Sequence, residues 1–139
     1  MVQKDFEIID HTADVGIVAY GDNISQAFGN AARALFSLIT ELDSVAEVVC
    51  RDTELSAVDE ESLLVAWLNE LIYLFDTENI VFKRFDVAVL PGSSLRARSY
   101  GEKVDGSRHR LKTGVKAATY HMLGVEKGNG CRVQVILDI

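Results

Sequence analysis

The stretch DHTADVG, residues 10–16, interrupts an apolar pattern near the beginning of the chain. Apolar, β-forming residues flank it at 6–9 and again at 15–20, which predicts two strands with this stretch at their junction. Two carboxylates and an imidazole fall within five positions there. Because these side chains break a pattern that would otherwise continue, we expect them to have a function of their own.

The composition predicts a single globular domain over residues 1–139. Hydrophobic residues make up 48% of the 139-residue chain, enough for a core and too many for a disordered protein. No apolar run approaches the ~18 residues that cross a bilayer. The first residues carry charge and do not resemble a signal peptide. We therefore expect a cytoplasmic protein that does not enter the membrane.

The two cysteines do not indicate a metal site or a disulfide framework. Cys50 and Cys131 are far apart and lack the spacing of metal ligands. We expect both thiols to be reduced and buried.

The charge of the chain is unevenly distributed. A net charge of −7 argues against a protein that wraps nucleic acid. Residues 96–116, however, hold seven Lys or Arg and only two acidic residues. A basic surface on an acidic body suggests a specific charged partner. A simple solvated hairpin is the alternative.

Helical spacing of apolar residues appears twice. Residues 24–40 form one amphipathic stripe, and Asn23 with Gln26 resembles a capping box at its start. A second stripe, around Trp67, runs from 63 to about 76 after an acidic lead-in. We interpret the Trp67 stripe as core.

The remaining apolar stretches predict strands, at 46–51, 81–90, 95–100, 115–125 and 132–139. The polar residues 101–112 predict an exposed loop. Strands joined by hairpin turns, with two helices between them, indicate an α+β fold. In that fold a largely antiparallel sheet carries two amphipathic helices on one face.

A metal site is one interpretation of the acidic residues at the two ends of the chain. Asp14 and Asp138 would provide oxygen ligands for a hard divalent cation if the first and last strands were neighbours, and Ile139 would add further oxygens. Periodicity cannot show that adjacency. The alternatives are that Asp14 only caps a turn and that Asp138 is solvated. His11 fits hydrogen bonding within the loop better than binding a hard ion.

Three blocks of the sequence resemble the archease family. They are DHTADV with YGD and AF (10–15, 20–22, 27–28), VKAATYH (115–121) and VILDI (135–139). They occur in the family's order, and the family's length matches the whole chain. Each block alone is weak evidence, but the three together are specific.

The resemblance implies a non-catalytic accessory protein of the RtcB-type tRNA-splicing RNA ligase. Archeases promote guanylylation of that ligase and allow multiple turnover, so tRNA is reached only through the ligase. The family's metal positions correspond to Asp14, Asp138 and Ile139, and its required lysine to Lys116. The implied cofactor is a divalent ion: Ca²⁺, Mg²⁺ or Mn²⁺. Lys116 suits a phosphate contact, and a surface ion pair with the carboxylates is the alternative.

Two other functions compete with this one. A chaperone or adaptor for tRNA-modifying enzymes, such as a tRNA methyltransferase, would need a partner but no metal. A metal-dependent phosphate-ester hydrolase would use the two carboxylates and the lysine. The sequence lacks the denser metal cluster and the glycine-rich phosphate loop that would favour a hydrolase.

Overall fold

The computed structural model describes residues 4–10 and 14–139, and it confirms the α+β class. The helices are α1 (Ile24–Ile39) and α2 (Glu60–Glu78), with a 3₁₀ turn at Leu42–Ser44. The strands are β1 (Phe6–Asp10), β2 (Asp14–Gly21), β3 (Val49–Ser56), β4 (Ile80–Leu90), β5 (Ser94–Lys103), β6 (Ala117–Gly128) and β7 (Gly130–Asp138).

The strands form two antiparallel sheets where the sequence predicted one. The first has the order β1-β2-β7-β6 and the second the order β3-β5-β4. The pairing of β2 with β7 brings the beginning of the chain beside its end. Hairpin turns predict local pairing well, but nothing in the periodicity tells how many sheets the hairpins build.

Both helices contact strands of both sheets. The predicted cap of α1 is confirmed, since the Asn23 side chain accepts a hydrogen bond from the Gln26 amide at 2.9 Å. Asp59 caps α2 in the same way through the amide of Ser62. Small residues such as Ala27 and Ala31 are fully buried, which lets the sheets approach α1 closely.

Aromatic side chains fill the core between the layers. Phe36 and Phe82 meet edge to face at 5.6 Å, and Phe85 stacks on Phe36 at 5.9 Å. Trp67 is fully buried, and its indole donates to the carbonyl of Phe28. The interpretation of Trp67 as a core residue is confirmed.

Two predictions about local structure were wrong. Residues 101–112 are not a wholly exposed loop, because β5 continues to Lys103 and His109 is buried. Cys50 is exposed, whereas Cys131 is buried, and both thiols are free. Burial raises the pKa of the Cys131 thiol.

No helix in the described part of the chain is long and apolar enough to cross a membrane.

Candidate functional site

Asp14 and Asp138 are direct cross-strand partners. Asp14 begins β2, Asp138 ends β7, and the antiparallel register places them opposite each other. Residues paired in this way have Cβ atoms roughly 4.5–5.5 Å apart, on the same face of the sheet. Asp138 is exposed and Asp14 half-buried. The two carboxylates thus share one end of the first sheet, which we call the acidic corner.

The acidic corner belongs to the face of the sheet that points away from the core. Val133, Val135 and Leu137 alternate along β7 and are fully buried. Asp138 therefore lies on the opposite face, in line with Gln134. We call this the outer face. A divalent ion or a partner can approach the acidic corner from solvent.

Ile139 and Lys116 lie next to the acidic corner along the chain and across the sheet. Ile139 directly follows Asp138 and is half-buried. The amide of Lys116 donates to the carbonyl of Asp138 at 2.8 Å, just before β6 begins. The Lys116 side chain is exposed. Within residues 4–10 and 14–139, no carboxylate forms an ion pair with its ammonium group.

Asn69 of α2 fixes the beginning of β6. Its side chain accepts from the amide of Ala118 at 2.8 Å and donates to the carbonyl of the same residue at 3.3 Å. β6 is an edge strand, so these backbone groups would otherwise lack a partner. This clamp, two residues after Lys116, was not predicted from the sequence.

β6 contains a wide bulge close to the acidic corner. Thr119 pairs with Ile136 and Gly124 with Gln134, so residues 120–123 face the single residue Val135. Met122 has a left-handed φ of 51°, which is unusual for a bulky residue. The sequence gives no signal for this feature, because residues 115–125 look like one continuous apolar strand.

A buried ionic cluster orders the segment that leads to Lys116. The Glu102 carboxylate accepts from the guanidinium of Arg108, from Nε2 of His109 at 3.0 Å and from the amide of Ala46 at 2.6 Å. The bonds from Arg108 and Ala46 lower the pKa of Glu102 to about 2. Nδ1 of His109 accepts from the amide of Asp105 at 2.8 Å.

The predicted basic surface is partly neutralised by ion pairs. Arg98 binds Asp52 at 2.6 Å and Arg96 binds Glu54 at 3.0 Å, both across neighbouring strands. Arg108 and Lys112 also have acidic partners. Four of the seven basic residues in 96–116 are therefore paired with acids. Arg96, Arg98 and Lys112 pair with acids distant in sequence, and Arg108 pairs with acids of its own segment.

The oxygen donors of the acidic corner fit a hard divalent ion, but as an incomplete set. Two carboxylates and the oxygens of Ile139 are suitable ligands for Ca²⁺, Mg²⁺ or Mn²⁺. In the part of the chain that the structure describes, no group of three or more His, Cys, Asp or Glu could hold a metal ion. Water or a partner would have to complete the coordination. His11, the remaining predicted site residue, lies outside the described residues.

Comparisons with known proteins agree over nearly the full chain. Residues 6–139 match the model of the "Archease protein family (MTH1598/TM1083)". A protein archease from Methanosarcina mazei is 39% identical, covering 98% of this chain and 97% of the relative. One from Pyrococcus abyssi is 42% identical over 89% of each chain.

A solved structure is similar in fold as well as in sequence. The solution structure of Methanobacterium thermoautotrophicum protein 1598 superposes with a TM-score of 0.84 at 35% identity. It covers 99% of this chain, and all of that chain is matched.

Proposed function

The chain belongs to the archease family, and from this premise we propose that it activates an RtcB-type tRNA-splicing RNA ligase. It promotes guanylylation of the ligase and multiple turnover, without joining RNA itself. Its partner is the ligase, and tRNA is reached only through that enzyme. Membership of the family supports an RNA-ligase accessory role in general, and the particular ligase and step are our proposal.

The observation that carries this proposal is the pairing of Asp14 with Asp138. Two carboxylates on opposite residues repel each other unless a cation lies between them. Their position at one end of a sheet, on its outer face, suits insertion into the metal–nucleotide centre of a larger enzyme. In that centre the pair would hold a divalent ion, and Ile139 would contribute further oxygens.

Lys116 has a separate role in the proposal. Its amide is held by Asp138, while its side chain extends into solvent. An ammonium group on a side chain rooted beside the two carboxylates would contact the phosphates that accompany the metal. The lysine would thus orient the nucleotide while the carboxylates position the ion.

The test is guanylylation of the purified RtcB-type ligase with GTP and Mn²⁺, with and without this protein. We expect the wild-type protein to accelerate the reaction, and Asp14→Asn, Asp138→Asn and Lys116→Ala to lose most of that acceleration. Asp76→Asn and Lys127→Ala are matched controls, because both residues are exposed and lie elsewhere in the fold. Normal stimulation by both aspartate variants would contradict the metal mechanism.

The adaptor alternative makes a different prediction in the same assay. A chaperone for a tRNA-modifying enzyme would protect its partner equally well in the presence of chelator. Loss of ligase stimulation in Asp14→Asn and Asp138→Asn, with the ligase's own reaction in GTP and Mn²⁺ unchanged, supports the ligase activator.

A further inference from the structure

We propose that the apolar surface beside the acidic corner, formed by the exposed residues Ile9, Tyr120 and Met122 with the buried Ile136 in the same region, is the face on which the ligase docks. We call it the docking face. The inference rests on the proposed function and adds to it the surface that provides the binding energy.

Large apolar side chains are exposed on this part of the molecule. Tyr120 is 65% exposed, Met122 61% and Ile9 44%. Ile9, Gly16, Ile136 and Thr119 are successive cross-strand partners, so they form one row across the first sheet. The bulge begins directly after Thr119, so the exposed residues Tyr120 and Met122 follow this row along β6. Tyr and Met are both enriched in protein interfaces.

Hydrogen bonds hold the bulge in this exposed conformation. The Thr119 hydroxyl donates to the carbonyl of Ile136 at 2.9 Å and accepts from the amide of His121 at 3.3 Å. The Gln134 side chain donates to the carbonyl of Met122 at 3.0 Å. The left-handed backbone of Met122 costs free energy, and the fold retains it while leaving the apolar side chain in water. Bulges of this kind commonly redirect side chains beside functional sites.

The docking face adjoins the acidic corner, and this supports the ligase as the partner that covers it. Ile136 lies two residues before Asp138 on the same face, a distance of roughly 7 Å along the strand. A specific interface buries about 800 Å² on each partner, far more than two carboxylates provide. A ligase that brings its metal centre to the acidic corner must therefore cover the neighbouring row. Its matching surface would be an apolar groove beside a cationic, metal-bearing centre.

Met122→Asn and Tyr120→Ser test the docking face. Asparagine tolerates the left-handed backbone, so Met122→Asn is expected to keep or raise the melting temperature while it removes the apolar side chain. Binding to the purified ligase is measured by biolayer interferometry, and guanylylation by titration of the accessory protein. We expect each variant to weaken the Kd and raise the half-saturating concentration about ten-fold, the size of a typical hot-spot loss. The plateau of stimulation is retained.

Two further variants separate docking from activation. Tyr73→Ser is the matched control, because Tyr73 is 59% exposed on α2 and lies outside the docking face. It should bind and stimulate as the wild type does. Asp138→Asn should bind with nearly unchanged Kd and lose the stimulation.

The outcomes distinguish failure of the docking face from failure of the proposed function. If the wild type stimulates the ligase but both bulge variants bind normally, the docking face is wrong and the proposed function stands. If the bulge variants change only self-association in analytical ultracentrifugation, the face binds a second copy and the inference is overturned. If the wild type neither binds nor stimulates the ligase, the proposed function fails and the docking face fails with it.

Discussion

Gly101 of β5 lies directly against the backbone of β4. A Cβ atom there would overlap the carbonyl oxygen of Val81 and lie 2.7 Å from the Cα of Phe82. The register of β4 shifts between Phe82 and Arg84, next to the residue that pairs with Gly101. The lack of a side chain at Gly101 therefore coincides with a bulge in β4. The sequence places a glycine inside a polar stretch here and gives no indication that a neighbouring backbone occupies the space of its side chain.

Gly101→Ala is expected to lower the free energy of unfolding by about 2 kcal/mol or more, because backbone atoms must move to admit the methyl group. Urea denaturation followed by circular dichroism measures the change. Gly124→Ala is the control, since no heavy atom lies within 4 Å of its added Cβ. An equal loss in both variants would show that close approach is not the cause.

Glu102 makes stability depend on acidic pH. Its pKa is lowered from 4.5 to about 2 in the folded protein, chiefly by the hydrogen bond from Arg108. The folded state therefore binds the proton less tightly than the unfolded chain. The stabilisation is complete above the unfolded pKa and is lost as the pH falls towards the folded one.

Glu102→Gln is expected to lower the free energy of unfolding by about 1–3 kcal/mol near neutral pH, because the buried side chain loses the charge that strengthens its hydrogen bonds from Arg108 and Ala46. The difference from the wild type should shrink as the pH is lowered through the window between the two pKa values. Thermal melts of both proteins across that window measure it. A difference that does not change with pH would contradict the assignment to Glu102.

β6 depends on a side chain from a distant helix. Asn69 supplies both the acceptor and the donor that a neighbouring strand would give Ala118. Residue spacing predicted the strand itself, since its apolar character is local. It could not predict the clamp or the ion pairs of β5, because each joins residues more than 40 positions apart. It could not predict the bulge, because an irregular register leaves no mark on residue spacing. For the same reason the basic residues 96–116 suggested a charged surface that ion pairs formed on folding partly neutralise.

Asn69→Leu should loosen the beginning of β6 and leave the amide of Ala118 without a partner, at a cost of about 1–3 kcal/mol. Hydrogen exchange of the Ala118 amide is expected to accelerate. Asn69→Asp keeps the acceptor and loses the donor, so protection should fall between that of the wild type and that of the leucine variant. Unchanged exchange in Asn69→Leu would show that the clamp does not hold the strand.

The pairing of β2 with β7 joins the beginning of the chain to its end. The family blocks around Asp14 and Asp138 suggested that the two ends meet, and the β2–β7 register brings them together. That part of the candidate site could be anticipated because family resemblance carries long-range information which periodicity lacks. The division into two sheets could not, since nothing in a strand's own residues states which sheet it joins.

A divalent ion at the acidic corner should stabilise the entire fold, because it links the strands that close the molecule. We expect Ca²⁺ or Mn²⁺ to raise the melting temperature of the wild type and EDTA to reverse the effect. Asp138→Asn should show little response to the ion, and in EDTA it should melt no lower than the wild type, because a like-charge pair has been removed. Equal shifts in both proteins would place the bound ion elsewhere.

The direction of β7 has a practical consequence for anyone who purifies this protein. The strand runs towards the acidic corner, so a polyhistidine tag fused behind Ile139 would lie next to Asp138, where its imidazoles would compete for the proposed ion and obstruct the proposed partner. The chain enters β1 at the far end of the same sheet, because Phe6 pairs with Ala19 whereas Asp10 pairs with Val15. A cleavable tag at the amino terminus therefore enters the sheet at the end away from the acidic corner.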